Sequence, residues 1–247
     1  MSLRHPASQL KTALLDLLFP LRCFGCGSEG DLLCESCRRS LYRIEPPFCQ
    51  RCGTQLGERG LCRVCIRHPL TIDGIRSLFT FEGTVRQAIH QFKYSSVKMA
   101  AVPLGQMLAD FLRSQPLSGD VLMPVPLYRK RLRERGYNQA SLLTTEIGKH
   151  TGLPVAEASL VRVRDTLAQA RTVSAAERRE NVRGAFGCRE RLRGENIILI
   201  DDVCTTGATL DACATALKAA GAGSVRGLTI AREAVAPAID TKKSLKV

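Results

Sequence analysis

The sequence has no tryptophan, and its aromatic residues together make up only 5% of the chain. A protein that held nucleic acid mainly by stacking bases on aromatic faces would need more of them. No apolar run approaches the ~20 residues of a transmembrane helix, so stable membrane insertion is not expected. The run at 13–21 is short, carries Asp16 and lacks the small-residue cleavage site of a secretory leader. The G-x-x-x-x-G-K-[ST] loop of nucleoside triphosphatases is missing, which excludes a Walker-type ATPase. Acids are also in deficit: 23 Asp and Glu stand against 36 Lys and Arg, a net charge of +13. That excess favours anionic partners, whether phosphates, nucleic acid or a membrane surface, without choosing among them.

Residues 197–210 organise the rest: Ile-Ile-Leu-Ile-Asp-Asp-Val-Cys-Thr-Thr-Gly-Ala-Thr-Leu. Four apolar residues, mostly β-branched, read as a buried parallel strand. Asp201 and Asp202 follow at its carboxyl end, then a short polar loop with Gly207, then a helical pattern from about Thr209 to Ala220. An open α/β sheet places its ligand at such a point. Loop N–H groups and a helix N-terminus favour phosphate, and paired carboxylates accept from sugar hydroxyls or hold hydrated Mg²⁺. An ordinary βα turn with exposed acids would not require this loop chemistry. The stretch resembles the phosphoribosyl pyrophosphate (PRPP) motif of type I phosphoribosyltransferases. The resemblance implies that Asp201 and Asp202 bind the ribose hydroxyls, while Thr205, Thr206, Gly207, Ala208 and Thr209 wrap the 5′-phosphate.

Eleven cysteines are present, eight of them between Cys23 and Cys65. They form four Cys-x-x-Cys pairs: Cys23/Cys26, Cys34/Cys37, Cys49/Cys52 and Cys62/Cys65. Gly27 and Gly53 follow the first pair of each half, as tight knuckles require. Four thiolates suit tetrahedral Zn²⁺, so a double zinc ribbon with up to two ions is expected. An iron–sulfur cluster and redox pairs are the competing readings. The zinc either staples a segment too small for its own core or also serves nucleic-acid or partner binding. In the absence of a leader, a reducing cytoplasm is the expected compartment, where clustered cysteines favour metal over disulfides.

Around these stretches the chain reads as follows. Leu10, Leu14, Leu17, Leu18 and Leu21 suggest a lead-in helix within residues 1–22. A strand is expected at 75–81, and helices at 84–94 and 101–113. Lys93 is either a phosphate contact or a solvated helix-end lysine. A second buried strand at 119–126 precedes the most basic segment, 128–135, expected as a loop on which Arg129, Lys130 and Arg131 meet an anion. Pyrophosphate and nucleic acid compete as that anion. Asn138 caps a helix to about residue 150, Ser174 and Glu177 form a capping box, and residues 224–232 give the last strand. Residues 1–70 are expected as lead-in and ribbon, 71–234 as the α/β domain, and 235–247 as a basic tail.

The order Pro124-Val-Pro126-Leu127, basic run, Arg135-Gly-Tyr-Asn-Gln139, together with Arg162, Arg164, Thr166, Gln169 and the amino-terminal cysteines, resembles the ComF/GntX family. That resemblance spans about residues 13–232. It implies an open, mostly parallel sheet with helices on both faces, behind a small double zinc ribbon. It further implies PRPP with Mg²⁺ as substrate, pyrophosphate as product, and a hood at 160–186 in which Arg164 and Gln169 are candidate contacts. Such proteins are tied to competence and the use of incoming DNA. The alternative is a non-catalytic binder of single-stranded DNA or of DNA-uptake helicase and processing partners, with PRPP as a regulatory ligand. Thr205 stands where purine-salvage enzymes carry a carboxylate, which disfavours purine salvage. The absence of an amino-terminal nucleophilic Cys disfavours glutamine-dependent amination.

Overall fold

The computed structural model of the chain describes residues 20–94, 98–115, 117–164 and 174–233. Two short helices, α1 (Glu35–Arg39) and α2 (Arg63–Arg67), lie in the cysteine-rich segment. Then come β1 (Gly74–Thr80), α3 (Gly83–Tyr94), α4 (Ala101–Ser114), β2 (Val121–Pro124), α5 (Arg129–Arg135) and α6 (Gln139–Thr151). The remainder is β3 (Leu160–Arg162), α7 (Ala175–Val182), β4 (Phe186–Cys188), β5 (Asn196–Cys204), α8 (Ala208–Ala219) and β6 (Ser224–Arg232). The lead-in leucines up to Leu18, Gln169 and the tail from 235 lie outside the described residues.

Four strands form a parallel sheet in the order β1-β6-β5-β2. β5 is central and buried on both faces, which is why its apolar run does not alternate with polar residues. Ile198 and Ile200 face a core built with α3, α4 and α6, including Ile89, Phe92, Leu108, Leu143 and Ile147. Ile197 and Leu199 face the opposite core, with Leu210, Cys213 and Leu217 of α8. The helices thus cover both faces, as the sequence implied. The side-chain period explains α3: Val85, Ala88, Ile89 and Phe92 form one buried stripe. Asn138 caps α6, its side chain accepting from the Ala140 N–H at 3.1 Å. Ser174 and Glu177 form the expected capping box at α7.

The two cysteine knuckles attach to different faces. Cys23 and Cys37 pack in the core with Val85 and Ile89, whereas Cys49, Cys52 and Cys65 pack with Ile75, Cys204 and Leu210. Between them the chain lies along the outer edge of β1. The Ile44 N–H donates to the Leu78 carbonyl, the Thr80 N–H to the Tyr42 carbonyl, each at 3.0 Å, and the Ile75 N–H to the Arg51 carbonyl at 2.8 Å. An edge strand that would otherwise present unpaired backbone is covered.

Three expectations are corrected. The basic segment is a helix and not a loop: between extended Tyr128 and left-handed Gly136 lie seven residues, Arg-Lys-Arg-Leu-Arg-Glu-Arg, all good helix formers. β5 does not stop before the acids but runs to Cys204, because β6 continues beside it and Cys204 pairs with Arg232. Helix α8 opens at Ala208, inside the expected loop, with left-handed Gly207 as its N-cap. The β3–β4 antiparallel pair was not anticipated; each strand has only three residues, too few for a period to register.

Candidate functional site

The carboxyl ends of the four parallel strands open into one cavity of about 650 Å³. Phe81, Val125, Cys204 and Glu233, each at or just past a strand end, contribute to its lining. Asp201, Asp202, Thr205, Gly207, Ala208 and Thr209 line it, as do Lys93, Arg131, Arg135, Arg162 and Arg178. Carboxylates, a helix N-terminus and cations therefore share one enclosure, at the place where open α/β sheets bind ligands.

The acids are not simply exposed at a turn. Asp202 is buried, and its Oδ1 lies 2.8 Å from Nζ of Lys93, which α3 delivers from across the sheet end. The Asp202 N–H donates to Asp201 Oδ1 at 2.9 Å, which fixes the first carboxylate beside the second. Burial, and then the Asp202 charge, push Asp201 up to about 7 against the pull of Lys93. Burial alone would lower Lys93, but the charge of Asp202, its hydrogen bond and the more distant Asp201 hold the ammonium above its ordinary value. Lys93 is therefore an ion-pair partner of the acids and not a solvated helix-end lysine. Its place was readable: it stands four residues after Ile89, on the same helical face.

Gly207 reverses the chain at φ +81° and starts α8, so the loop after β5 leads directly into a helix N-terminus. The Thr206 hydroxyl accepts from the Ala208 N–H at 3.3 Å. Cys204, just before the loop, is buried; burial pushes its thiol up to about 11. It is therefore protonated at neutral pH and not poised for attack.

Because the basic segment is helical, its cations divide. Arg131 and Arg135, one turn apart, line the cavity, whereas Arg129 and Lys130 are exposed and do not. Arg135 donates to Gln139 Oε1 at 2.7 Å and lies over the Tyr94 ring at 5.4 Å. In the hood region, Arg164 does not reach the cavity: its guanidinium donates to the Arg183 carbonyl, 2.5 Å away, at the end of α7. The hood cations that do line it are Arg162, lying over the Phe186 ring at 5.4 Å, and Arg178, paired to Glu233 at 3.3 Å. Arg178 and Glu233 carry no sequence signal of this role, since nothing local joins α7 to the end of β6.

The eight ribbon cysteines form two clusters: Cys23, Cys26, Cys34 and Cys37, then Cys49, Cys52, Cys62 and Cys65, with sulfurs within 4.8 Å of one another in each. The Cys26–Cys34 and Cys52–Cys62 sulfurs are 3.6 and 3.7 Å apart. Zinc with ~2.3 Å bonds to a tetrahedron of thiolates sets sulfurs ~3.8 Å apart, so both clusters fit it. Backbone N–H groups point at the sulfurs, from Gly25 to Cys23 at 3.4 Å and from Cys62 to Cys49 at 3.3 Å. Such bonds favour the thiolate form that a metal needs.

Comparison with known proteins gives a consistent picture. Residues 14–66 match the double zinc ribbon domain family, and residues 134–245 the phosphoribosyl transferase domain family. Competence protein ComFC of Bacillus subtilis is 30% identical over 213 residues, covering 81% of this chain and 84% of its own. Competence protein F of Haemophilus influenzae is 28% identical over 229 residues, 87% of this chain and 98% of its own. DNA utilization protein YhgH of Salmonella typhi is 28% identical over 200 residues, 78% and 87%. Among the described residues, no helix is long and apolar enough to cross a membrane.

Proposed function

This chain belongs to the family of Competence protein ComFC, and from that premise we propose that its cavity binds PRPP. The observation that carries the reading is the meeting of Asp201 and Asp202 with the Thr205–Thr209 loop and the cations Lys93, Arg131 and Arg135 in one enclosure. We propose that ribose 5-phosphate is transferred to a nitrogen acceptor with release of pyrophosphate, in the service of using external DNA. Asp201 and Asp202 accept hydrogen bonds from the ribose hydroxyls. The loop N–H groups and the α8 N-terminus hold the 5′-phosphate. Arg131 and Arg135 balance the charge that builds on the leaving pyrophosphate, an electrostatic task. Arg162 and Arg178 close the enclosure from the hood and keep water from the sugar. Magnesium bound with PRPP would add charge neutralisation, and the Asp201–Asp202 pair offers its oxygen ligands. The ion pair with Lys93 fixes the Asp202 carboxylate at the cavity wall before substrate arrives.

Isotope-labelled PRPP with Mg²⁺, offered to a panel of nitrogenous bases and to single-stranded DNA, tests the reading. Pyrophosphate release is expected, and Asp202→Ala should reduce it at least a hundredfold. Binding of PRPP with no turnover across the panel would sink the enzyme and favour the second reading, a binder of single-stranded DNA or of a DNA-processing partner. That second reading draws on the exposed Arg129, Lys130 and Arg133 on the outer side of α5. Its DNA affinity would fall steeply with salt.

A pH dependence follows from Asp201. The carboxylate, not the acid, is the better acceptor for a hydroxyl. With Asp201 held near 7, PRPP affinity measured by calorimetry should rise severalfold between pH 6 and 8. In Asp201→Asn that rise should flatten to whatever the ligand's own phosphates contribute. Equal slopes in the two proteins would remove Asp201 from the ribose contact.

A further inference from the structure

Arg232 ends β6 and is only 4% exposed. A buried guanidinium is costly unless its charge is answered. Its hydrogen bonds among the described residues all go to groups that are neutral in the free chain. Nη1 donates to the Cys52 carbonyl at 2.6 Å and to Cys204 Sγ at 2.9 Å, and Nε donates to Thr54 Oγ1 at 3.1 Å. Two of these partners belong to the second knuckle. The third is the last residue of β5, directly before the Thr205–Thr209 loop.

The missing counter-charge lies in the cysteine cluster. Divalent zinc on four thiolates leaves a dianion, and the second cluster stands one hydrogen bond from Arg232. The Thr54 hydroxyl accepts from Arg232 and can turn its own proton to Cys52 Sγ, 3.2 Å away. We propose that Arg232 is the counter-cation of zinc held by Cys49, Cys52, Cys62 and Cys65, and that through Cys204 it positions the loop at 205–209. The claim about the loop rests on the reading of the cavity given above. The first cluster is not wired in this way: its buried cysteines pack with α3 and α4 on the other face of the sheet. The two zinc ions would therefore differ in kind, the first holding the ribbon to the fold and the second also setting the geometry of the anion loop.

Zinc affinity of the full-length chain, measured by competition with chelators of graded strength, tests this. Cys26→Ser, which breaks only the first cluster, assigns the two transitions. Arg232→Gln should weaken the second cluster about 10–100-fold, the range for a lost outer-shell partner, and leave the first unchanged. Arg232→Lys should recover part of the loss. In the unmodified protein, saturating ribose 5-phosphate should strengthen zinc binding at the second cluster only, since coupling of two ligands is reciprocal. Equal weakening of both clusters in Arg232→Gln, or no weakening, overturns the proposal. Should Arg232→Gln fail to fold, Arg232→Lys and the ribose 5-phosphate effect decide instead. Ribose 5-phosphate that binds by calorimetry yet moves neither transition overturns the link to the loop. Ribose 5-phosphate that does not bind overturns the reading of the cavity, and the variant affinities then decide the zinc claim alone.

Discussion

Lys93→Met is expected to destabilise the protein by about 3 kcal/mol at pH 8, in the range for removing one partner of a buried ion pair. The variant leaves Asp202 buried beside Asp201 with no cation in contact among the described residues. For a chain of this size that corresponds to a fall of roughly 6–12 °C in the unfolding midpoint. The sign with pH follows from Asp201, whose rise Lys93 restrains. Without Lys93 an ionised Asp201 is the costlier form, so its protonation relieves the strain. The loss should therefore be largest at pH 8 and much smaller at pH 5. Lys93→Met combined with Asp202→Asn should recover much of the stability at pH 8, because the charge that Lys93 contacted is gone and with it the repulsion on Asp201. Urea unfolding of the three proteins at both pH values, in zinc-containing buffer, gives the comparison. A loss equal at pH 5 and pH 8, or a double variant no better than the single, would falsify the electrostatic account and leave only lost packing.

The second large effect separates two glycines that look alike in the sequence. Gly27 and Gly53 each follow the first Cys-x-x-Cys of a knuckle, and both are left-handed, with φ of +75° and +77°. Alanine at either position costs about 1–2 kcal/mol for conformation alone. At Gly27 a methyl group would meet nothing within 4 Å. At Gly53 it would lie 2.4 Å from the Ile75 carbonyl oxygen of β1. Backbone cannot step aside as a side-chain tip can, so overlap adds about 1–3 kcal/mol more. It also pulls against the bond from the Ile75 N–H to the Arg51 carbonyl. Gly53→Ala should therefore loosen the second knuckle, seen as faster limited proteolysis within residues 49–65 and a lower unfolding midpoint. Gly27→Ala should show only the smaller loss. Equal losses at the two sites would mean that the second knuckle does not press on β1 as closely as described.

These cases show which parts of the molecule were legible in the sequence. Local periods and spacings carried the buried β5 strand, the Asp-Asp pair with its loop, the two cysteine tetrads and the Asn138 and Ser174 caps. Each is written within one short run of consecutive residues, the longest being a tetrad, 49–65. The misreading of residues 129–135 was also local. Taken as a loop, the run made Arg129, Lys130 and Arg131 equivalent; taken as a helix, its spacing selects Arg131 and Arg135. Lys93 stood between these cases, because its helical face was readable but its partner was not. What no local pattern carried was contact across the chain: Arg178 with Glu233, Gly53 against Ile75, and Arg232 between Cys52 and Cys204. A cation ending a strand reads as solvated until the fold places a cysteine cluster next to it.

The clasp of the ribbon along β1 also bears on the order of events during synthesis. The ribbon's cysteines are close in sequence, so its knuckles can close on zinc as soon as they emerge. Yet β1 pairs with β6, roughly 150 residues later. At ~5–20 residues per second, roughly 7–30 seconds separate the two. During that interval the ribbon holds a strand that has no sheet to join, and Ile75, Leu78 and Phe79 have no core to enter. The last strand made is the one that seats the first segment made, so a chain stopped before residue 224 would keep zinc at the first cluster, hold it more weakly at the second for want of Arg232, and lose its fold.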